Sequence, residues 1–472
     1  MSTTTIPLPD RPNLEQLKKR ARELQRELQI PLSEAQLHLA RGYGFASWPK
    51  LKQHVELVTR LTRTPDTVAP SSDPADEFLR LCCLCYSDDD SPAKRAAASA
   101  MLTPELATRN IWIAAATSSW SAVMRMLEDD PSLASKEGGP FMWEPLMYLA
   151  YARFEPAPSQ NDTILTADAL LARDANPNAG YLWHGFPSPF TVMTGVFGEG
   201  EQGPVNQSRH PHWMALARLL LGAGADPNDA QVLYNRQFEP GAEHLELLFE
   251  FGLGQGDGGP WKKMLTSARE APSEMLRAQL RWAIHHDMRD RVRLLAENGV
   301  DLTTPFDDER FGHCHGRTPA QFAALCGNAV IVKTLAAHGA VSAPLSDVDG
   351  FIGALMTGDS DEIARFPEAD YPDIAQRARQ ERPSLIVQAA AAGRPKAVEA
   401  AVMAGFDINA LGRADSPCEM PWQTALHVAV EQNNEQMVDL LLTLGADPSI
   451  TDARFNATPA GWAEHFGYVV RL

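Results

Sequence analysis

The stretch "TALHVAVEQNNEQMVDLLLTLGADPSI", Thr424 to Ile450, decides the reading of the chain. It opens on a threonine and closes on Gly445, Ala446, Asp447 and Pro448, with an alanine-containing inner helix and a leucine-rich outer helix between. Thr458-Pro459-Ala460 restarts the pattern about 34 positions later, and self-similarity at such a period marks stacked repeats. Upstream, Thr318-Pro319-Ala320 leads through "QFAALCGNAVIVKTLAAHGA" to Gly339-Ala340. Related endings stand at Ala175 to Asn178, Gly224 to Asn228, Gly299 to Asp301 and Gly405 to Asn409.

Each recurring residue has a physical task. The hydroxyls of Thr318, Thr424 and Thr458 can cap the first helix of a hairpin, and Pro319 and Pro459 carry a backbone angle already suited to a helix start. Small inner-helix residues allow close stacking, while Leu440, Leu441 and Leu442 fill the layer between neighbours. Gly224, Gly299, Gly339, Gly405 and Gly445 permit the left-handed turn that ends an outer helix, and the Asp and Asn that follow favour a tight turn.

This pattern resembles the ankyrin repeat, whose period is roughly 33 residues. The family's signatures are Thr-Pro-Leu-His near the start and Gly-Ala-Asp-x-Asn near the end. Thr424-Ala425-Leu426-His427 approaches the first including its histidine, and Gly224 to Asn228 matches the second. The resemblance spans Asn110 to Leu472, more weakly in the first third. It implies an all-α fold, an ankyrin-type alpha solenoid of about ten helical hairpins, several degenerate.

Expected hairpins are Asn110 to Glu137, Trp143 to Asn178, Pro189 to Asn228, Asp229 to Asp257, Leu280 to Phe306, Arg317 to Ser342, Val348 to Arg379, Pro383 to Leu411, the Thr424 unit and a short terminal unit. Trp261 to Ser273 reads as an insertion or a weak helix. The stretches Phe154 to Thr163, Tyr181 to Pro211, Asp301 to Gly316 and Leu411 to Trp422 are longer than minimal fingers, and long insertions in such arrays often gather on the binding face.

Ahead of the array, residues 1–63 read as a small three-helix unit, 64–76 as a linker rich in Thr, Pro, Ser and Asp, and 77–109 as a helical lead-in, leaving 110–472 to the array. Asn13 is positioned to cap a helix carrying Leu14, Leu17, Ala21, Leu24 and Leu28. Pro31 ends it, Ser33 with Gln36 forms a capping-box pattern, Gly42 suits the exit, and Ser47 with Trp48 and Pro49 opens a third helix. The segment "LSEAQLHLARGYGFASWPKLKQHV" resembles the extension that precedes the array in many bacterial ankyrin-repeat proteins.

Charge divides the chain as well. The whole carries a formal net charge of -18. Residues 1–63 hold eleven Lys/Arg against six Asp/Glu, a balance of +5, so the remainder carries -23. An acidic body argues against general nucleic-acid binding. The connection Gly42 to Ala46 is long for a helix-turn-helix, and Lys50, Lys52 and Gln53 alone offer groove-facing groups on the third helix. No apolar run reaches the length of a membrane span, the start lacks a secretory plan, and the cysteines do not form a disulfide framework. A cytoplasmic, monomeric protein is the expectation.

Catalysis finds no motivated residue. Nucleophile elbows and zinc-helix motifs are missing. Asp307, Asp308, Glu309, His313, Cys314 and His315 match no standard zinc spacing, and the stretch reads as a solvated finger, with a two-ligand surface site at His313 and His315 as the alternative. Cys82, Cys83 and Cys85 read as core packing, Gly252 to Gly259 as a hairpin exit rather than a phosphate loop, and Asp88 to Asp90 as a helix N-terminal charge run. No cofactor is expected, and His427 is expected to bond within its own repeat.

The resemblance implies a non-catalytic scaffold or adaptor that binds a protein through a concave face and its fingers. The alternative is a regulator whose basic head binds DNA while the array holds a partner. Aromatics and arginine dominate interaction hot spots, so Trp183, His184, Phe186, Phe306, Phe311, Arg413 and Trp422 are the candidate contact residues. The acidic body suits a partner with a basic patch, or the chain's own basic head as a lid.

Overall fold

The computed structural model describes residues 8–9, 12–265, 271–308, 313–341, 343–366, 371–414 and 420–469. They are mostly helical and form two compact units, Met1–Met275 and Leu276–Leu472.

The first unit begins with three helices. In α1 (Leu14–Leu28) the Asn13 side chain accepts from the Glu15 and Gln16 N–H groups at 2.9 and 3.1 Å. The start of α2 (Leu32–Gly42) differs from expectation. It begins directly after Pro31 without a side-chain cap, so Ser33 lies inside the first turn. Gly42 is still helical, and Gly44 takes the left-handed conformation that lets Phe45 N–H reach the Ala40 carbonyl at 2.8 Å. Ser47 precedes α3 (Trp48–Leu61). Leu17, Ala21, Leu39, Ala40, Leu51 and Val55 form the head's core, with Tyr43, Phe45 and Trp48 packed on it.

The head is anchored at its end. Thr62–Arg63 (β1) pairs in parallel with Gly180–Trp183 (β2), and β2 pairs antiparallel with Pro189–Thr191 (β3). Val58, Leu182, Trp261 and Leu265 make a separate buried cluster, with Leu57 and Leu61 packed against it. Residues 64–76, expected as a linker, hold the 3-10 turn Pro65–Thr67 and the start of the helix Pro74–Cys82, which Asp73 caps. Tyr181 to Pro211, expected as one long finger loop, instead contributes most of β2, all of β3 and two helices, Val192–Phe197 and Gly203–Asn206. Thr191 makes this possible by closing a capping box with Thr194 at the strand's end.

Hairpins follow in the expected places: Ile111–Ala116 with Trp120–Asp129, Pro145–Tyr151 with Gln160–Leu171, Val192–Phe197 with Trp213–Gly222, and Ala230–Arg236 with Glu243–Glu250. Each first helix packs on the next hairpin's first helix, and Trp120–Asp129, Gln160–Leu171 and Trp213–Gly222 pack in sequence likewise. Close approach depends on small residues. A Cβ at Gly195 would lie 2.2 Å from the Tyr151 ring.

In the second unit the pairs are Pro319–Leu325 with Ala329–Ala337, Leu385–Ala391 with Pro395–Met403, and Ala425–Glu431 with Glu435–Thr443, followed by Pro459–Phe466. A continuous core runs from Leu325 through Phe351, Ile386 and Val398 to Val428, Leu441 and Trp462. Thr318 and Thr424 close capping boxes with Gln321 and His427. His427 Nε2 also donates to the Ala457 carbonyl at 3.0 Å, tying its hairpin to the next helix start. Gly224, Gly299, Gly339, Gly405 and Gly445 all adopt positive φ after an outer helix, the conformation their position calls for.

Candidate partner-binding surface

The turn joining β2 to β3 carries three of the sequence-derived contact residues. Trp183 is half-buried, and its indole N–H donates to the Cys85 carbonyl at 3.0 Å. His184 Nε2 donates to the Asp66 carboxylate at 2.8 Å. Phe186 stacks on Trp183 with ring centres 5.8 Å apart and remains 43% exposed. Trp183 and His184 thus hold the turn in place while Phe186 presents an open aromatic face.

The candidates in the second unit divide differently. Phe306 is buried: its ring meets Phe322 at 5.9 Å and lies beneath the Arg277 guanidinium at 4.9 Å, so it serves the core rather than the surface. Arg413 and Trp422 are half-buried. Trp422 contacts Trp462 at 5.3 Å and Phe455 at 5.8 Å, with Arg454 over the ring at 5.7 Å. Phe455 beside it is 63% exposed, which sequence reading did not single out. Phe311 and Glu309 lie outside the described residues.

The stretch expected as a solvated acidic finger is partly core. Phe306 bridges to His315, and the Gly316 N–H donates to the Phe306 carbonyl at 2.8 Å, drawing the chain inward. His313 and Cys314 are buried, with His313 against the rings of His285 and Phe322 at 5.2 and 5.1 Å. Burial first, then the nearby charges of Arg382, His285, Arg281 and Arg317, hold the His313 imidazole well below its usual range. His315 is much more open than His313 and lies 3.7 Å from the Asp307 carboxylate. Among the described residues no group of three or more His, Cys, Asp or Glu is arranged to hold a metal ion.

Two further polar centres organise the first unit. Asp90, expected as a helix N-terminal charge, is buried; its carboxylate accepts from the Cys85 and Tyr86 N–H groups and pairs with Lys94 at 3.3 Å. Ser91 caps the helix instead. Cys82, Cys83 and Cys85 are buried free thiols, and burial raises the Cys83 and Cys85 pKa values. Arg153 is buried as well and donates to the carbonyls of Ala150, Ala152, Gly195 and Ser208, fastening the segment after Phe197 to the Pro145–Tyr151 helix.

A small pocket of about 20 Å³ lies between the end of the head and this body, lined by residues that include Leu61, Arg63, Glu137, Trp143, Glu144 and Tyr181. Trp143 and Tyr181 stack with ring centres 5.2 Å apart, and both are at least 97% buried. The Trp143 indole N–H, the Tyr181 hydroxyl and Glu144 Oε2 have no hydrogen-bond partner among the described residues. Arg63 reaches Glu137 at 3.2 Å. Burial, then the neighbouring Glu137 charge, raises the Glu144 carboxyl to about 7, while a backbone N–H from Asn176 opposes the rise.

Glu144 occupies the N-cap of Pro145–Tyr151 but makes no cap hydrogen bond. In Glu144-Pro145-Leu146-Met147 it stands where threonine stands in Thr318-Pro319 and Thr458-Pro459. That alignment is the signal by which sequence reading could have found it.

Residues 422–453 match the family model of the ankyrin repeat. No curated protein matches the chain. No described helix is long and apolar enough to cross a membrane. The hairpin from Thr424 to Gly445, with its capping box, His427 bridge and left-handed glycine, lies within the stretch that matches the ankyrin repeat.

Proposed function

We propose that the chain is a non-catalytic scaffold that binds a protein partner, its hairpins forming one ankyrin-type solenoid with a concave face and finger turns as the contact surface. The observation that carries this reading is the repetition of one hairpin plan, with shared caps and exit glycines, around a hairpin that matches the ankyrin repeat. Ankyrin repeats generally mediate protein interactions, so the step to function is one of fold analogy. Phe186, open and rigidly backed by Trp183, is the type of aromatic anchor that interfaces favour.

The head supports a DNA-binding regulator less well. Lys52 on α3 pairs with Glu56 at 3.4 Å, and the helix commits Leu57, Val58 and Leu61 to the cluster around Trp261. Affinity capture with the full chain tests the proposal. Phe186→Ala with Arg413→Ala is expected to weaken partner retention by about tenfold or more, the range of a lost hot spot. Retention indifferent to both changes but lost on Lys50→Glu with Lys52→Glu would overturn it in favour of the head.

A further inference from the structure

We propose that Trp422, Arg454, Phe455 and Phe466 form a docking site for a segment of the protein partner that carries a carboxylate beside a large apolar side chain. This rests on the protein-binding reading and names the chemistry selected at the Thr424 hairpin and the helix after it.

The site is built on the turn that follows the hairpin. Asp452 is buried, and its carboxylate accepts the backbone N–H groups of Arg454, Phe455 and Ala457 and the Trp462 indole N–H at 2.5 to 3.1 Å. The Ala453 N–H donates to the Trp422 carbonyl at 2.8 Å, and the Trp422 N–H donates to the Gly412 carbonyl at 3.0 Å. This turn is thereby joined to the finger before it. Arg454 and Phe455 stand on a backbone already held in place, which lowers the ordering cost of binding.

What the turn presents is open to solvent. Phe455 and Phe466 are both exposed, and their rings meet the buried Trp462 ring at 6.4 and 6.2 Å. A large apolar side chain laid against them covers aromatic surface that the fold leaves in water. The Arg454 guanidinium lies over the rings of Trp422 and Phe455, at 5.7 and 5.2 Å. It is exposed and has no hydrogen bond or ion pair among the described residues. Arg218 and Arg293, exposed as well, each pair with a carboxylate of the chain.

Charge complementarity therefore selects the occupant. The chain holds 60 Asp/Glu against 42 Lys/Arg, yet the carboxylate nearest Arg454 in sequence, Asp452, is spent on the turn itself. A partner carboxylate can take the guanidinium fork bidentately while the rings hold its face. Arginine with aromatics would also suit a nucleic acid, but a polyanion meets the repulsion of the acidic body. A single carboxylate feels that field only within about 8 Å at physiological salt.

Selection of a displayed random heptapeptide library on the immobilised full chain tests the proposal. Enriched peptides should place Asp or Glu beside Phe, Trp, Leu or Met. A synthetic copy of the most enriched peptide should bind saturably in solution. Its affinity should fall by about tenfold or more with Arg454→Gln and with Phe455→Ala, the range of a lost hot spot, in variants whose unfolding temperature is unchanged. Arg454→Glu should redirect selection toward Lys or Arg at the acidic position. No enrichment, enrichment without an acidic residue, or affinity indifferent to both changes would overturn the proposal. Two other results would overturn it by assigning the patch elsewhere: binding of a single-stranded oligothymidylate that Arg454→Gln removes, or self-association in sedimentation that Phe455→Ala removes. Partner capture separates this site from the broader reading: if Arg454→Gln with Phe455→Ala retains the partner and Phe186→Ala with Arg413→Ala loses it, the scaffold stands and this site fails.

Discussion

Glu144 shows what one residue changes within a repeated plan. Where Thr424 satisfies the first turn of its helix, Glu144 leaves its cap unmade and carries a carboxyl raised to about 7. The folded state therefore binds that proton more tightly than the unfolded chain. Its contribution to stability is complete below the ordinary carboxylate range and is lost as pH rises through 7. Glu144→Gln is neutral at every pH, so its unfolding temperature should exceed that of the native chain increasingly from pH 5 to pH 8. A difference that does not change with pH would contradict the assigned shift. Thr318, Thr424 and Thr458 were legible because capping is local, each hydroxyl meeting an N–H three residues on. Glu144 showed in the sequence only as a break in the Thr-Pro pattern, because the burial that raises its pKa is set partly by Arg63 and Tyr181, far away in sequence. Asp90 bonds locally to Cys85 and Tyr86, but its loop is held by distant partners, Leu84 N–H on the Tyr151 carbonyl and the Tyr86 hydroxyl on the Thr194 carbonyl.

At the scale of elements, helices of the array were legible and the small sheet was not. Helix periodicity accumulates over ten or more residues, whereas β1 has two residues, β2 four and β3 three. The pairing of β1 with β2 spans more than a hundred positions. The sheet and the cluster beneath it anchor the end of the head, and Asp66 in the expected linker adds a bond from His184. Trp261 is central to that anchor, buried beside Val58 and Leu182 and donating its indole N–H to the Asn178 carbonyl at 2.9 Å. Trp261→Ala is expected to cost about 3–5 kcal/mol, the range for truncating a large buried aromatic. Limited proteolysis should then cut first within the head or just after it, before the hairpins from Ile111 onward. A cleavage pattern identical to that of the native chain would show that the head is held by other contacts.

For the whole molecule, repetition made the fold readable. In stacked arrays each hairpin touches mainly its neighbours, so a recurring local signature reads as stacking, and the helix pairs opened by Thr318 and Thr424 end on the left-handed glycines Gly339 and Gly445. Binding faces follow no such rule. Phe186 was legible as an aromatic in a long insertion, but Phe306 went to the core because the strand-like bridge to His315 pulled it inward. The charge division between a head of +5 and a remainder of -23 has one concrete expression in the pair between Arg63 and Glu137. The central claim, that finger turns and hairpin faces bind a protein, is tested most directly by hydrogen exchange of the full chain with and without the partner recovered by affinity capture. Protection is expected at residues 183–188 and around Trp422 and Phe455. Protection confined to residues 14–61, with the turns unchanged, would contradict it.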